Sequence, residues 1–164
     1  MNLTFSLKYK QTDEYLIRLS SVCLADFLSE DVSDSISKKH EIIEIGLQRI
    51  KGEMPTNVVI LSQITNFIAK IFEQNKHFIF YFFCDDLNDV ARRRKDFSPQ
   101  EYRSILFTRM IDKYLSDNHI SDIEHTTVCI DSSGWKNYIH FVYRSNLKAI
   151  VDLLQADIID NYGK

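Results

Sequence analysis

Seven consecutive residues, His77 to Phe83 (HFIFYFF), are all aromatic or β-branched, and the run stops abruptly at Cys84, Asp85 and Asp86. A run this short is too brief for a buried helix and suits a central strand covered on both faces. The chain before it has the pattern of an apolar helix, and so does the chain after it. Two helices can therefore pack on this strand, and its carboxylates emerge at the C-terminal end, where open sheets often hold ligands. Phe80, Phe82 and Phe83 are expected to be largely buried.

The rest of the chain is consistent with one domain of 164 residues, long enough to bury a core. Its net charge of −3 argues against broad electrostatic binding to nucleic acid, which needs a basic surface. Cys23, Cys84 and Cys129 are odd in number and lack CxxC spacing, as expected of free thiols in a reducing compartment. No apolar run approaches the roughly 20 residues that cross a bilayer, and MNLTFSLKYK lacks the apolar core of a signal peptide. The expected location is cytoplasmic.

Leu3, Phe5, Leu7 and Tyr9 alternate with polar residues, and Tyr15, Ile17 and Leu19 repeat the alternation, which predicts a strand hairpin. Residues 23–39 are less regular, and EDVSDSISKK reads as a polar connection. A third strand is predicted from Glu41 to Ile50, with Ile43, Ile45 and Leu47 on one face. After the loop at Gly52 and Pro55, Ile60, Ile64, Phe67, Ile68, Ile71 and Phe72 fall at helical spacing within residues 56–75. Beyond the central strand, Ser98-Pro99-Gln100-Glu101 combines an N-cap, a proline at the first helical position and a glutamate three after the cap. The helix it opens is expected to bury Tyr102, Ile105, Leu106, Met110 and Tyr114. Two strands, Glu124–Asp131 and Lys136–Tyr143, are joined by Ser132-Ser133-Gly134-Trp135, and Asn146 is expected to cap a last helix.

The predicted class is α+β, a mixed sheet of about six strands with packed helices in the order βββαβαββα. This order resembles the core of the GNAT acetyltransferases. In that family an (Arg/Gln)-x-x-Gly-x-(Gly/Ala) loop holds the coenzyme A pyrophosphate on backbone N–H groups at a helix N-terminus. The corresponding residues are Arg49-Ile50-Lys51-Gly52-Glu53-Met54, where Arg49 and Gly52 match. Met54 replaces the second small residue, Pro55 lacks a donor, and Glu53 brings negative charge. Asn88-x-x-Ala91 matches a second family pattern, whereas the Tyr and Gly-Phe expected downstream are missing or displaced. The strand ending in Cys84-Asp85, with Arg103-x-x-Leu106-Phe107-x-Arg109 beyond it, also resembles a family of small uncharacterised bacterial proteins.

If the resemblance carries activity, it implies an acyl-CoA-dependent N-acyltransferase using acetyl-CoA. Arg49, Lys51 and Gly52 would then hold the cofactor, Glu44 would deprotonate an amine, and Tyr102 would protonate the leaving thiolate. The weakened loop favours the other expectation, a bacterial module without catalysis or cofactor that binds another protein. Candidate contact residues are Asp85, Asp86, Arg92, Arg94 and Trp135. Asp85 and Asp86 also read as caps of the following segment, because a carboxylate there satisfies free backbone N–H groups. No third ligand stands at metal spacing beside them. The Arg92-Arg93-Arg94-Lys95 run is balanced, since residues 85–96 hold four acids and four bases. The five histidines look scattered, with no pair four residues apart.

Overall fold

The computed structural model describes residues 2–9, 12–23, 28–37, 40–52, 58–84, 96–132 and 134–162. In chain order its elements are β1 (Asn2–Tyr9), β2 (Asp13–Ser21), α1 (Glu30–Ser37), β3 (Glu41–Lys51), α2 (Val58–Gln74), β4 (Phe78–Cys84), α3 (Pro99–Asp117), β5 (Ile123–Ser132), β6 (Trp135–Arg144) and α4 (Lys148–Tyr162). The strands form one mixed sheet in the order β1-β2-β3-β4-β6-β5, so the fold is α+β. β3 and β4 run parallel, and every other neighbouring pair is antiparallel. The aromatic run is a central strand, as its composition requires.

Side chains alternate across a strand, so β4 feeds two cores. Ile79 is 0% exposed on the face covered by α1 and α4, where it meets Ile42, Phe141, Tyr143, Val151 and Leu154. Phe80 is 1% exposed on the other face, with Ile17, Leu19, Ile43, Ile45, Ile64 and Phe72. Phe72 meets Phe80 edge-on at 5.0 Å, an arrangement that aromatic quadrupoles favour. α2 reaches as far as β1, where Phe67 touches Phe5 at 4.2 Å.

Several expectations need correction. Phe82 and Phe83 are only half-buried. Both lie beyond the last residue of β4 that pairs with β3. The polar connection is in fact a helix, α1, whose Val32 and Ile36 stand four apart and pack inward, with Glu30 and Asp31 at its positive end. Asn146 lies inside a 3-10 turn, Ser145–Leu147, and makes no cap; the turn opens at Arg144 without a side-chain bond. The cap at Ser98 is present, its Oγ accepting from the Glu101 N–H at 3.2 Å.

α3 also buries a different stripe from the apolar one read in the sequence. Gln100, Ser104 and Phe107 face the sheet, while Tyr102, Ile105, Leu106, Met110 and Tyr114 are half-buried. The surface beneath this helix carries two histidines, and a serine suits that floor better than leucine. The three cysteines are unbridged. No helix among the described residues is long and apolar enough to cross a membrane.

Candidate functional site

β3 and β4 pair over only four positions, from Glu41 opposite Phe78 to Glu44 opposite Tyr81. β3 continues to Lys51, still paired to β2, and β4 continues to Cys84, still paired to β6. Beyond Glu44 and Tyr81 no ladder joins the two strands. The sheet therefore holds a fork at the C-terminal ends of its two parallel strands. Among the described residues no further strand pairs with either of them there, and backbone edges of this kind can pair with an added extended chain.

Two side chains mark the apex of the fork. Neighbours in a ladder share a face, so Glu44 and Tyr81 stand side by side above Ile42 and Ile79. Glu44 is exposed and Tyr81 is half-buried. Burial, together with the negative charge of Glu44 and the nearby Tyr162, pushes the Tyr81 phenol up to about 12. Tyr81 is thus a proton-bearing hydroxyl at any physiological pH, set beside an exposed carboxylate. Gly46 follows two residues after Glu44 on the same face, where an added Cβ would touch, among the described residues, Arg18 of β2.

The cofactor loop expected from the sequence is used differently. Tyr15 lies opposite Arg49 but Glu14 lies opposite Lys51, so Ile50 is the extra residue of a bulge. The Arg49 guanidinium forms an ion pair with Asp13 of β2 and lies 5.5 Å from the Tyr15 ring centroid. That ion pair, together with Thr12, holds the Asp13 carboxyl below its ordinary value. Gly52 has φ +115°, and a Cβ there would collide with Asp13 and Arg49. Its glycine is required by this local packing.

Glu44 and Tyr102 are not brought together. Glu44 lies on the face of α1 and α4, whereas α3 covers the opposite face, so the sheet separates them. Tyr102 instead lines a surface hollow with Phe97, Ile105 and Arg109. The tyrosine beside Glu44 is Tyr81, hidden in the sequence because it sits within an apolar run. Trp135 projects from the β5–β6 turn, 62% exposed. Asp85, Asp86, Asn88, Ala91, Arg92 and Arg94 lie outside the described residues.

Two of the five histidines, His125 and His140, are brought together. The tight β5–β6 turn sets Thr127 opposite His140 and His125 opposite Val142. His125 and His140 are therefore diagonal neighbours on one face, as the hairpin register implies. His140 is 0% exposed. Its Nδ1 lies 2.9 Å from His125 Nε2 and 3.1 Å from Thr127 Oγ1, and its Nε2 lies 3.0 Å from Ser104 Oγ. Phe107 caps both rings and stacks on Phe82 at 4.2 Å. Burial and the adjacent His125 bring the His140 pKa down to about 3, so the ring is neutral. Either neutral tautomer can serve, since Nδ1 faces two groups and the Ser104 hydroxyl can accept from or donate to Nε2. With both nitrogens engaged, this ring pins α3 to β6.

The hollow at Tyr102 measures about 280 Å³. The cavity between α2 and α3, lined by Phe72, Phe80 and Phe107 and bridged by Tyr114 donating to Glu73, measures about 60 Å³. Small-molecule sites typically need about 300–1,000 Å³. Among the described residues no group of three or more His, Cys, Asp or Glu is placed to hold a metal ion. Comparison with protein-family models, with curated proteins and with solved structures found no match.

Proposed function

We propose that this protein is a non-catalytic binding module that receives an extended segment of a partner protein in the fork between β3 and β4. The observation that carries this reading is the end of the ladder at Glu44 and Tyr81, which leaves an edge of each strand facing the gap. An added strand would satisfy those edges, with affinity from main-chain hydrogen bonds and selectivity from alternate side chains. The exposed Glu44 carboxylate at the apex favours a segment carrying a positive charge. The strand order is what supports a scaffold related to acetyltransferases. The bond from Arg49 to Asp13 supports a non-catalytic descendant, since the guanidinium is committed within the sheet.

A second reading, acyl-CoA-dependent N-acyltransfer, is favoured by one observation, the juxtaposition of Glu44 and Tyr81. The carboxylate would take a proton from an amine, and the phenol would return one to a leaving thiolate. Peptide-display selection on the intact protein, followed by calorimetry, separates the two readings. The binding reading expects basic peptides with micromolar affinity that is lost in Glu44→Lys. Acetyl-CoA is expected to give no micromolar binding. A ligand at 100 times its dissociation constant adds about 2.7 kcal/mol of stability, so a thermal-shift assay would register acetyl-CoA if the enzyme reading held.

A further inference from the structure

We propose that α3 is an acid-released lid. The facing nitrogens of His125 and His140 hold it on the sheet, and it lifts to uncover Phe80 and Phe82 when both rings take a proton. Of the three long helices, α3 is anchored by the least apolar surface. α2 buries Ile60, Leu61, Ile64 and Phe72, and α4 buries Val151, Leu154 and Ile158. α3 buries Gln100, Ser104 and Phe107, of which one is apolar. The Gln100 side-chain oxygen is buried without a hydrogen-bond partner among the described residues, a desolvation that works against docking. The cavity that α3 shares with α2 leaves its packing incomplete there. Segments with few buried apolar contacts open at the lowest free energy, so α3 is the long helix that opens first.

Polar contacts make up the difference. Ser104 is bonded to His140, Phe107 covers both imidazoles, and Tyr114 donates to Glu73 of α2. The two rings are stacked at 11°, with His140 Nδ1 2.9 Å from His125 Nε2. One proton fits between those nitrogens and two do not. A single added proton is accommodated, since His125 Nδ1 lies 4.0 Å from the exposed Asp112 carboxylate of α3. Once both rings are charged, every ring nitrogen carries a hydrogen. Two N–H groups then confront each other, and two positive charges lie side by side where His140 has no exposure. The charged side chain acting on His125 is Asp112, and His140 feels His125. Further along the same face, Glu101 of α3 and Cys129 and Asp131 of β5 act on Tyr138 of β6. Phe82 faces the pair from β4 and Thr127 from β5, and neither brings a charge. Lifting α3 opens the pair to water and relieves the repulsion.

A lifted α3 leaves His140 hydrated, near its ordinary value of about 6.5, whereas burial and His125 hold the docked ring down to about 3. Docking is therefore strongest above about pH 6.5 and weakens as pH falls from there toward 3. His140 alone multiplies the lifted fraction about 30-fold between pH 7.5 and pH 5. Native-state amide hydrogen exchange of the full chain, corrected for intrinsic rates, tests this at the two pH values. At both, amides in the middle of α3 should open more often than those of α2 and α4. Their opening should rise about 30-fold or more at pH 5. In His140→Gln the rise should shrink to a few-fold, and the wild-type comparison stands even if that variant fails to fold. α3 amides that open no more often than those of α4 overturn the inference, since the whole fold then opens at once. So does an α3 opening that changes less than about threefold between the two pH values, or a full rise that persists in His140→Gln.

Discussion

Nε2 of His140, a side chain with no solvent exposure, lies 3.0 Å from Oγ of Ser104 and fastens the middle of α3 to the second strand from the edge. Ser104 is itself 7% exposed. Removing its hydroxyl leaves a buried imidazole nitrogen without a partner, which costs about 1–3 kcal/mol. Ser104→Ala should lower the unfolding free energy by that amount at pH 7, read as a lower urea midpoint with an unchanged slope. An effect of a few tenths would mean that the hydrogen bond does not anchor the helix.

The same ring makes stability depend on pH. Its folded pKa is about 3, below the ordinary histidine value near 6.5. The unfolded chain therefore takes a proton that the folded chain refuses. Stability is full above about pH 6.5, falls as pH drops below it and levels off near 3. Each unit of displacement is worth about 1.4 kcal/mol, so the loss amounts to several kcal/mol. His125, also lowered by burial, adds to it. Between pH 7.5 and pH 5 His140 alone should cost about 2 kcal/mol, read from chemical unfolding at the two values. His140→Gln should flatten most of that difference.

Along β4 the cost of truncation should fall at the fork. Phe80 is enclosed between β3 and α2, and Phe80→Ala should destabilise by about 3–5 kcal/mol through transfer and cavity terms. Phe82→Ala should cost less, because that ring is half-buried and has one strand neighbour in place of two. Chemical denaturation of both variants checks the order. Equal losses would mean that the sheet is closed beyond Tyr81.

Much of this fold could be read from the residues, because most elements carry their own local signal. The period-two alternation of β1 and β2, the Ser98-Pro99 cap and the aromatic run each state a conformation without reference to anything distant. α1 was missed because an eight-residue helix with two inward apolar side chains, Val32 and Ile36, barely differs from a polar loop. The stripe of α3 was misread for the opposite reason. Its buried face is set by histidines on strands that follow it in the chain. The fork left no sequence trace, since parallel strands that part carry the same residues as strands that stay joined. Arg49 and Gly52 matched a motif while serving a bulge and an ion pair, a distinction made only by the β2–β3 register.

Arg49→Ala should return the Asp13 carboxyl toward its ordinary range, since the guanidinium is the first cause of its lowering. A group held low contributes stability above its unfolded pKa and loses it as pH falls through the folded value. The variant should therefore lose stability at neutral pH while becoming less sensitive to acid. The Asp13 side-chain carbon, followed by NMR through an acid titration, reports this directly. A pKa unchanged by the substitution would show that the ion pair does not form in solution.

The binding reading is tested most directly by amide chemical shifts of the labelled protein, titrated with a selected basic peptide and, separately, with acetyl-CoA. The account predicts that the peptide moves resonances of residues 45–51 on β3 and 82–84 on β4, the stretches beyond the Glu44–Tyr81 pair. Acetyl-CoA at micromolar concentration should move none of them. Shifts induced at the fork by micromolar acetyl-CoA, or peptide-induced shifts confined to other strands, would contradict it.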